Sequence, residues 1–187
     1  EHVRFVTTRT ELSARSPGPV RFNELIRLLK WWAAIQAANE EILPTPSFLL
    51  EILAARVFDR FGVAETYTDT LVTTYAALAE IVGERQTVDF SGDGGDPTRV
   101  GWRVLDPVNG DNSVVPVTWT EADIDRLARA CESGRQIMDR VRELDGRRRG
   151  REVLETLREL FGPALGRLGL EDGEWGTEGW SQWSTRS

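Results

Sequence analysis

Apolar side chains recur at helical spacing in five stretches of the chain, and Gly or Pro interrupts the pattern between them. The spacing predicts helices over residues 20–41, 47–61, 66–82, about 121–144 and 151–168. The opening residues 1–14 fit either a short strand or a helix, because their threonines blur the period. We therefore expect a mainly α fold, a bundle of five or six helices with one short β-strand or loop excursion.

The first of these helices carries one apolar stripe. Its members are Phe22, Leu25, Ile26, Leu29, Trp32 and Ala33. At 100° per residue Lys30 lies on the flank of this stripe, beside Ile26 and Asn23. Trp31 points away from the stripe, which predicts a second surface covered by something else, such as another domain; an exposed Trp edge is the alternative.

The helix predicted over 47–61 is apolar on nearly every side, which is typical of a central core helix. Its polar exceptions, Ser47 and Glu51, are four residues apart and share a face at the start of the helix. That face adjoins the unsatisfied backbone N–H groups of the first turn. Gly62 suits the end of this helix, and Gly83 the end of the next one.

The region between residues 84 and 118 changes character. Gly and Asp at 91–96 predict a flexible turn, and strands are expected over 100–105 and 114–117 with a turn at 106–110 between them. Thr118 or Thr120 then caps the following helix. We assign residues 1–168 to one helical domain. Residues 169–187 form a Gly/Trp-rich tail that is expected to be partly disordered or docked through Trp175, Trp180 and Trp183.

Composition excludes several function classes. The 187 residues carry a net charge of −7, a poor basis for non-specific binding of nucleic acid or anionic membranes. No apolar run approaches the length of a membrane span, and one Cys with one His excludes a Cys–His zinc cluster. Because a lone Cys131 cannot form an internal disulfide, an oxidising compartment is not implied and we expect a cytoplasmic protein.

No self-contained catalytic constellation is present, so we assign no catalytic and no metal-binding residue to this chain. His2 lies at the start of the chain and is a poor candidate for a general base. Cys131 is expected to be a core residue rather than a nucleophile. The run Arg147-Arg148-Arg149 could bind phosphate, but a solvated loop is the preferred interpretation.

Lys30 is the only Lys among 23 basic residues, which marks a position that favours a compact ammonium; chance is the alternative. If the two helices are adjacent and antiparallel, Lys30 and Ser47 meet near one end. An ammonium, a hydroxyl and helix N-terminal N–H groups would bind a polyphosphate, and Phe48 could stack on a base. Ser47 is also an ordinary first residue of a helix after Pro46, so a purely structural role stays open.

Three segments carry a family resemblance. Leu25-Ile26-Arg27-Leu28-Leu29-Lys30-Trp31-Trp32, Pro46-Ser47-Phe48-Leu49-Leu50-Glu51-Ile52-Leu53 and Val104-Leu105-Asp106-Pro107-Val108-Asn109 occur in that order. In order and spacing they resemble the C-terminal helical domain of the oligoadenylate synthetase and cyclic GMP–AMP synthase-like nucleotidyltransferases. The resemblance covers most of residues 1–145.

The resemblance implies that this domain packs against a nucleotidyltransferase core, with the active-site cleft between them. Carboxylates of that N-terminal domain hold two magnesium ions, and the enzyme joins nucleoside triphosphates (ATP, GTP or others) into linear or cyclic second messengers. Residues matching Lys30 and Ser47 contact the donor triphosphate, and the aromatic matching Phe48 stacks on the donor base. Phe48 replaces the more usual Tyr, so the phenol hydrogen bond is lost.

The glycine–serine motif and paired aspartates of the family would precede Glu1. We therefore expect this chain to be inactive alone, as the second domain of such an enzyme. Heavy Arg use and the acidic charge favour a bacterial member (CD-NTase type) in antiphage signalling, without a nucleic-acid or membrane partner. The alternatives are a non-catalytic protein-interaction module that uses Trp31 and the tail tryptophans, and a helical domain of a poly(A) or tRNA-tailing polymerase.

Overall fold

The computed structural model describes residues 2–90 and 101–166 of the chain. Six α-helices lie within them, followed by a 3₁₀ turn at Pro163–Gly166: α1 (His2–Ser13), α2 (Phe22–Ala38), α3 (Ser47–Phe61), α4 (Tyr67–Gly83), α5 (Glu121–Gly146) and α6 (Gly150–Phe161). Helices α2 to α6 pack in a ring, each on the next and α6 on α2, while α1 packs on α2 and α3. The predicted mainly α bundle is confirmed, and the ambiguous opening segment is helix α1.

The stripe predicted on α2 is the buried face of that helix. Its buried residues are Phe22, Leu25, Ile26, Leu29, Trp32 and Ala33. Trp32 meets Tyr75 of α4 edge-on, with ring centroids 5.2 Å apart, and both side chains are fully buried. Edge-to-face contact is a favoured geometry for aromatic pairs, so α2 and α4 are joined through the centre of the core.

The predicted cover over Trp31 is present, and it comes from the same chain. The Trp31 ring lies 5.5 Å from the ring of Phe161, at the end of α6, and Trp31 is partly buried. One turn further along α2, Ile35 contacts Gly162, where an added Cβ would lie 3.0 Å from Ile35 Cδ1. The second apolar face of α2 is thus covered by α6 of the same chain.

Several helix ends differ from expectation: α2 ends at Ala38 rather than at residue 41, and α4 and α6 also end elsewhere. Gly83 is the last residue of α4 rather than its terminator, and Arg85 is the residue that takes positive φ, at 55°. Helix α6 ends at Phe161, seven residues before the predicted end at 168. Gly162 has φ of 77° there, and Pro163 follows, which cannot continue the hydrogen bonding of an α-helix. For α3 the predicted bounds are confirmed, with Gly62 at its C-cap and φ of 69°.

The predicted strands are reduced to isolated bridges in the described residues. Val88 pairs with Val104, and Leu105 pairs with Ser113, without extending into a ladder. Pro116 lies inside the second predicted strand and has no N–H to donate, and the neighbouring Val117 is fully exposed. Thr120, rather than Thr118, caps α5, accepting the N–H of Asp123 and donating its own to that carboxylate.

Several other predictions can be compared with the structure. Cys131 is buried in the core, and Arg147, Arg148 and Arg149 are exposed in the turn before α6, both as expected. In residues 2–90 and 101–166, none of the helices has the length and hydrophobicity to cross a bilayer. The 91–96 turn and the 169–187 tail lie outside the described residues.

Candidate functional site

Lys30 and Ser47 lie on the same side of the bundle, where α2 and α3 are linked. Both line a cavity of about 220 Å³, together with Pro44 and Thr45 of the connecting turn. The rest of the lining is apolar: Ala33, Ala34, Ala37 and Leu50. Lys30 and Ser47 are therefore brought to one common cavity. Both side chains remain accessible, since Ser47 is exposed and Lys30 keeps 34% of its side-chain surface.

Local sequence explains this arrangement. Helix α2 ends at Ala38, and a turn that includes Glu40 at φ 61° reverses the chain. Pro46 occupies the N-cap of α3 in an extended conformation, which makes Ser47 the first helical residue. The N-terminal backbone N–H groups of a helix carry partial positive charge, so this edge offers an ammonium, a hydroxyl and N–H donors to an anion.

Lys30 is not free in this state. Its Nζ lies 2.5 Å from Oε1 of Glu51, one turn after Ser47 on α3. Both residues also line a second cavity, of about 340 Å³, between α1, α2 and α3. Sequence reasoning did not identify Glu51 as a site residue, although its spacing of four from Ser47 placed it on the same face. Sequence spacing does not determine how α2 and α3 cross, and it is this crossing that brings the Glu51 carboxylate to Lys30.

Phe48 is not among the residues that line the smaller cavity. It is partly buried, and its ring meets the His2 imidazole of α1 in a T-shaped contact with centroids 4.8 Å apart. His2 Nε2 in turn lies 2.8 Å from Oδ1 of Asp106. His2 was predicted only as a poor general base; its contact with Asp106, 104 residues away in sequence, could not be found from local spacing.

The Asp106 carboxylate holds His2 in place beside Phe48. Burial alone would raise its pKa, but hydrogen bonds from the Val108 N–H, the His2 ring and the Asn109 N–H lower the pKa below its ordinary value. Asp106 Oδ1 accepts the Val108 N–H at 2.8 Å, so the carboxylate closes its own turn. Asp106 is thereby kept ionised and tied to α1 through His2.

These residues offer hydrogen-bond donors to an anionic ligand. In residues 2–90 and 101–166 no cluster of three or more His, Cys, Asp or Glu side chains could hold a metal ion. Burial raises the pKa of the Cys131 thiol to about 12, which keeps it protonated and unreactive at neutral pH. The site therefore has donors for an anion and, beside them, the aromatic ring of Phe48.

No protein-family model and no curated protein matches the chain. Two solved structures share its fold, both of CdnC from E. coli MS115-1. One is CdnC with ATP, at TM-score 0.69 and 22% sequence identity over 88% of this chain. The other is the complex of CdnC with HORMA-deltaN, at TM-score 0.70 and 21% identity over 87% of this chain. In each case the chain spans 50% of the length of the CdnC chain.

Proposed function

We propose that this chain is the helical, nucleotide-binding part of a magnesium-dependent nucleotidyltransferase of the bacterial CD-NTase type. The enzyme would join nucleoside triphosphates into a linear or cyclic oligonucleotide second messenger in antiphage signalling. The observation that carries the proposal is the common cavity of Lys30 and Ser47 at the start of α3. The shared fold with CdnC, which was solved with ATP, supports it.

In this proposal Lys30 and Ser47 bind phosphate oxygens of the donor triphosphate. An ammonium donates up to three hydrogen bonds, and charge-assisted bonds to phosphate are stronger than neutral ones. The partial positive charge at the start of α3 adds to the attraction. Phe48 would stack on the donor base, with His2 supporting the ring at its edge.

The catalytic metal would be held elsewhere. The described residues lack a carboxylate cluster for it. We propose that carboxylates of an N-terminal nucleotidyltransferase domain hold the magnesium ions, which would activate the attacking ribose hydroxyl and stabilise the pyrophosphate leaving group. This chain would contribute donor binding and orientation, and its cleft-facing side would be completed by that domain.

A product assay tests whether this chain lacks the catalytic residues of the proposed enzyme. The 187-residue chain, incubated with magnesium and all four nucleoside triphosphates, is expected to give no oligonucleotide product. Robust product from the chain alone would contradict the proposal that catalysis needs the N-terminal domain.

Donor binding is tested separately by NMR. Because Lys30 is the only lysine, selective ¹³C-lysine labelling gives a single ε-methylene resonance. That resonance should shift saturably when ATP is added to the chain, since the ammonium gains phosphate contacts. A resonance that stays unchanged at millimolar ATP would overturn the proposed role of this edge.

The alternative of a protein-interaction module loses one of its supports. It used Trp31 and the tail tryptophans as anchors, and part of the Trp31 ring packs against Phe161 of α6. Such a module would also leave the Lys30 resonance unaffected by ATP.

A further inference from the structure

The ammonium of Lys30 is already occupied when the cavity is empty. Glu51 accepts its hydrogen bond at 2.5 Å, and the two side chains are 34% and 23% exposed. Charges this far removed from water are screened less than fully exposed ones. The pair therefore fixes the end of a side chain that would otherwise sample many rotamers.

Lys30, Ser47 and Glu51 differ in which of the two cavities they line. Glu51 lines only the cavity beside α1, Ser47 lines only the cavity beside the α2–α3 turn, and Lys30 lines both. An anion held by Lys30 and Ser47 thus comes to rest within one helical turn of the Glu51 carboxylate, because Ser47 and Glu51 are four residues apart on α3. The carboxylate repels that anion while it orients the ammonium that attracts it.

Repulsion of this kind grows with the charge of the ligand. At a given distance the Coulomb energy is proportional to the product of the charges. Metal-free ATP carries about four negative charges at neutral pH, and its magnesium complex about two. A fixed carboxylate beside the phosphate site therefore penalises the metal-free form about twice as strongly in free energy.

We propose that Glu51 is a positioning and specificity-determining residue: it orients Lys30 in the empty site and, by its charge, selects magnesium-complexed triphosphates over metal-free polyanions. The inference rests on the proposed function, that Lys30 and Ser47 bind a nucleoside triphosphate. It assigns Glu51 no contact with substrate; the residue acts through Lys30 and through its field.

The test compares wild type with Glu51→Gln in the 187-residue chain. The dissociation constant of ATP is measured with excess EDTA and with excess magnesium, by following the single Lys30 resonance. We expect Glu51→Gln to tighten metal-free ATP about tenfold and the magnesium complex about threefold, in line with the two-to-one charge ratio. Loss of the ion pair should also move the Lys30 resonance of the ligand-free variant.

Glu80→Gln is the matched control. It removes the same unit of charge from an exposed helical carboxylate that pairs with Arg60, and Glu80 lines neither cavity. This variant should leave both dissociation constants unchanged. Far-UV circular dichroism and thermal unfolding establish that each variant is folded.

The outcomes separate the two proposals. Equal changes for both ligands, no change, or weaker binding in Glu51→Gln would overturn the role of Glu51 while leaving the nucleotide site intact. Failure of ATP to move the Lys30 resonance in wild type and in Glu51→Gln alike would overturn the nucleotide site, and the role of Glu51 with it.

Discussion

Lys30 of α2 and Glu51 of α3 form an ion pair, 2.5 Å from Nζ to Oε1, at the boundary between two cavities. A single ion pair that is still partly exposed to water adds about 1 kcal/mol or less to stability. Its importance is positional: the solitary lysine is oriented at the edge where Ser47 begins the next helix.

Phe48 should contribute to binding through the base and not through the phosphates. Base–aromatic stacking is worth about 1–3 kcal/mol, so Phe48→Ala should weaken ATP binding about tenfold. Inorganic triphosphate, which has no base, should bind Phe48→Ala as it binds wild type. Titration of both ligands into both proteins by NMR measures this.

Phe48→Tyr is the matched variant, because it keeps a ring of similar size against His2. It should retain the ATP affinity of wild type or improve on it. If Phe48→Ala weakens ATP and triphosphate equally, Phe48 acts on the fold of the site and not on the base.

Trp31 should stabilise the fold through α6. Its ring contacts Phe161 across the α2–α6 interface, so Trp31→Ala leaves a partly filled gap. We expect a loss of about 2–3 kcal/mol in the free energy of unfolding, measured by urea denaturation. Trp31→Phe keeps the aromatic contact and should lose about 1 kcal/mol. An unchanged free energy of unfolding in Trp31→Ala would mean that packing against Trp31 does not stabilise α6.

Cys131 should resist alkylation in the folded chain. Burial raises the pKa of its thiol to about 12, so the reactive thiolate is scarce at pH 8. Iodoacetamide should label the native chain far more slowly than the urea-unfolded chain, as followed by mass spectrometry. Rapid labelling of the native chain would show that the helix α5 core opens readily.

The raised pKa of the Cys131 thiol also makes the free energy of unfolding depend on pH in the alkaline range. The thiol pKa is about 12 in the folded chain and about 8.5 in an unfolded one, so the folded state retains the proton more strongly. This contribution is complete below about pH 8.5 and is lost as pH rises toward 12. The stability difference between wild type and Cys131→Ala should narrow over that window, and a constant difference would contradict the assigned pKa.

Helical periodicity and the Pro and Gly positions predicted the helices and some of their ends, because these features depend on residues close in sequence. The six-residue stripe of α2 follows from helical periodicity, and the bounds of α3 follow from Pro46 and Gly62. Strands were predicted over 100–105 and 114–117 from the local sequence alone. Pairing also needs a partner in register, and the described residues contain two isolated bridges.

The site was predictable to the same extent. Lys30 and Ser47 were found because one is unique in composition and the other begins a helix. Glu51 and His2 were missed as partners because their contacts depend on how helices cross: Glu51 meets Lys30 between α2 and α3, and His2 meets Asp106 over 104 residues. The sequence predicted a cover over Trp31 but could not identify it for the same reason, because α6 supplies it from far along the chain.

The central claim, that Lys30 binds the triphosphate of a nucleotide, is tested most directly by calorimetric titration of magnesium ATP into wild type, Lys30→Ala and Lys30→Arg. Charge-assisted hydrogen bonds are worth about 1.5–3 kcal/mol, so Lys30→Ala should weaken binding about tenfold or more while unfolding cooperatively as wild type does. Lys30→Arg keeps the charge but changes its geometry and should recover only part of the affinity. Arg27→Ala, which removes an exposed cation from the same helix, should bind as wild type. Equal affinity in wild type and Lys30→Ala, or full affinity in Lys30→Arg, would contradict the account.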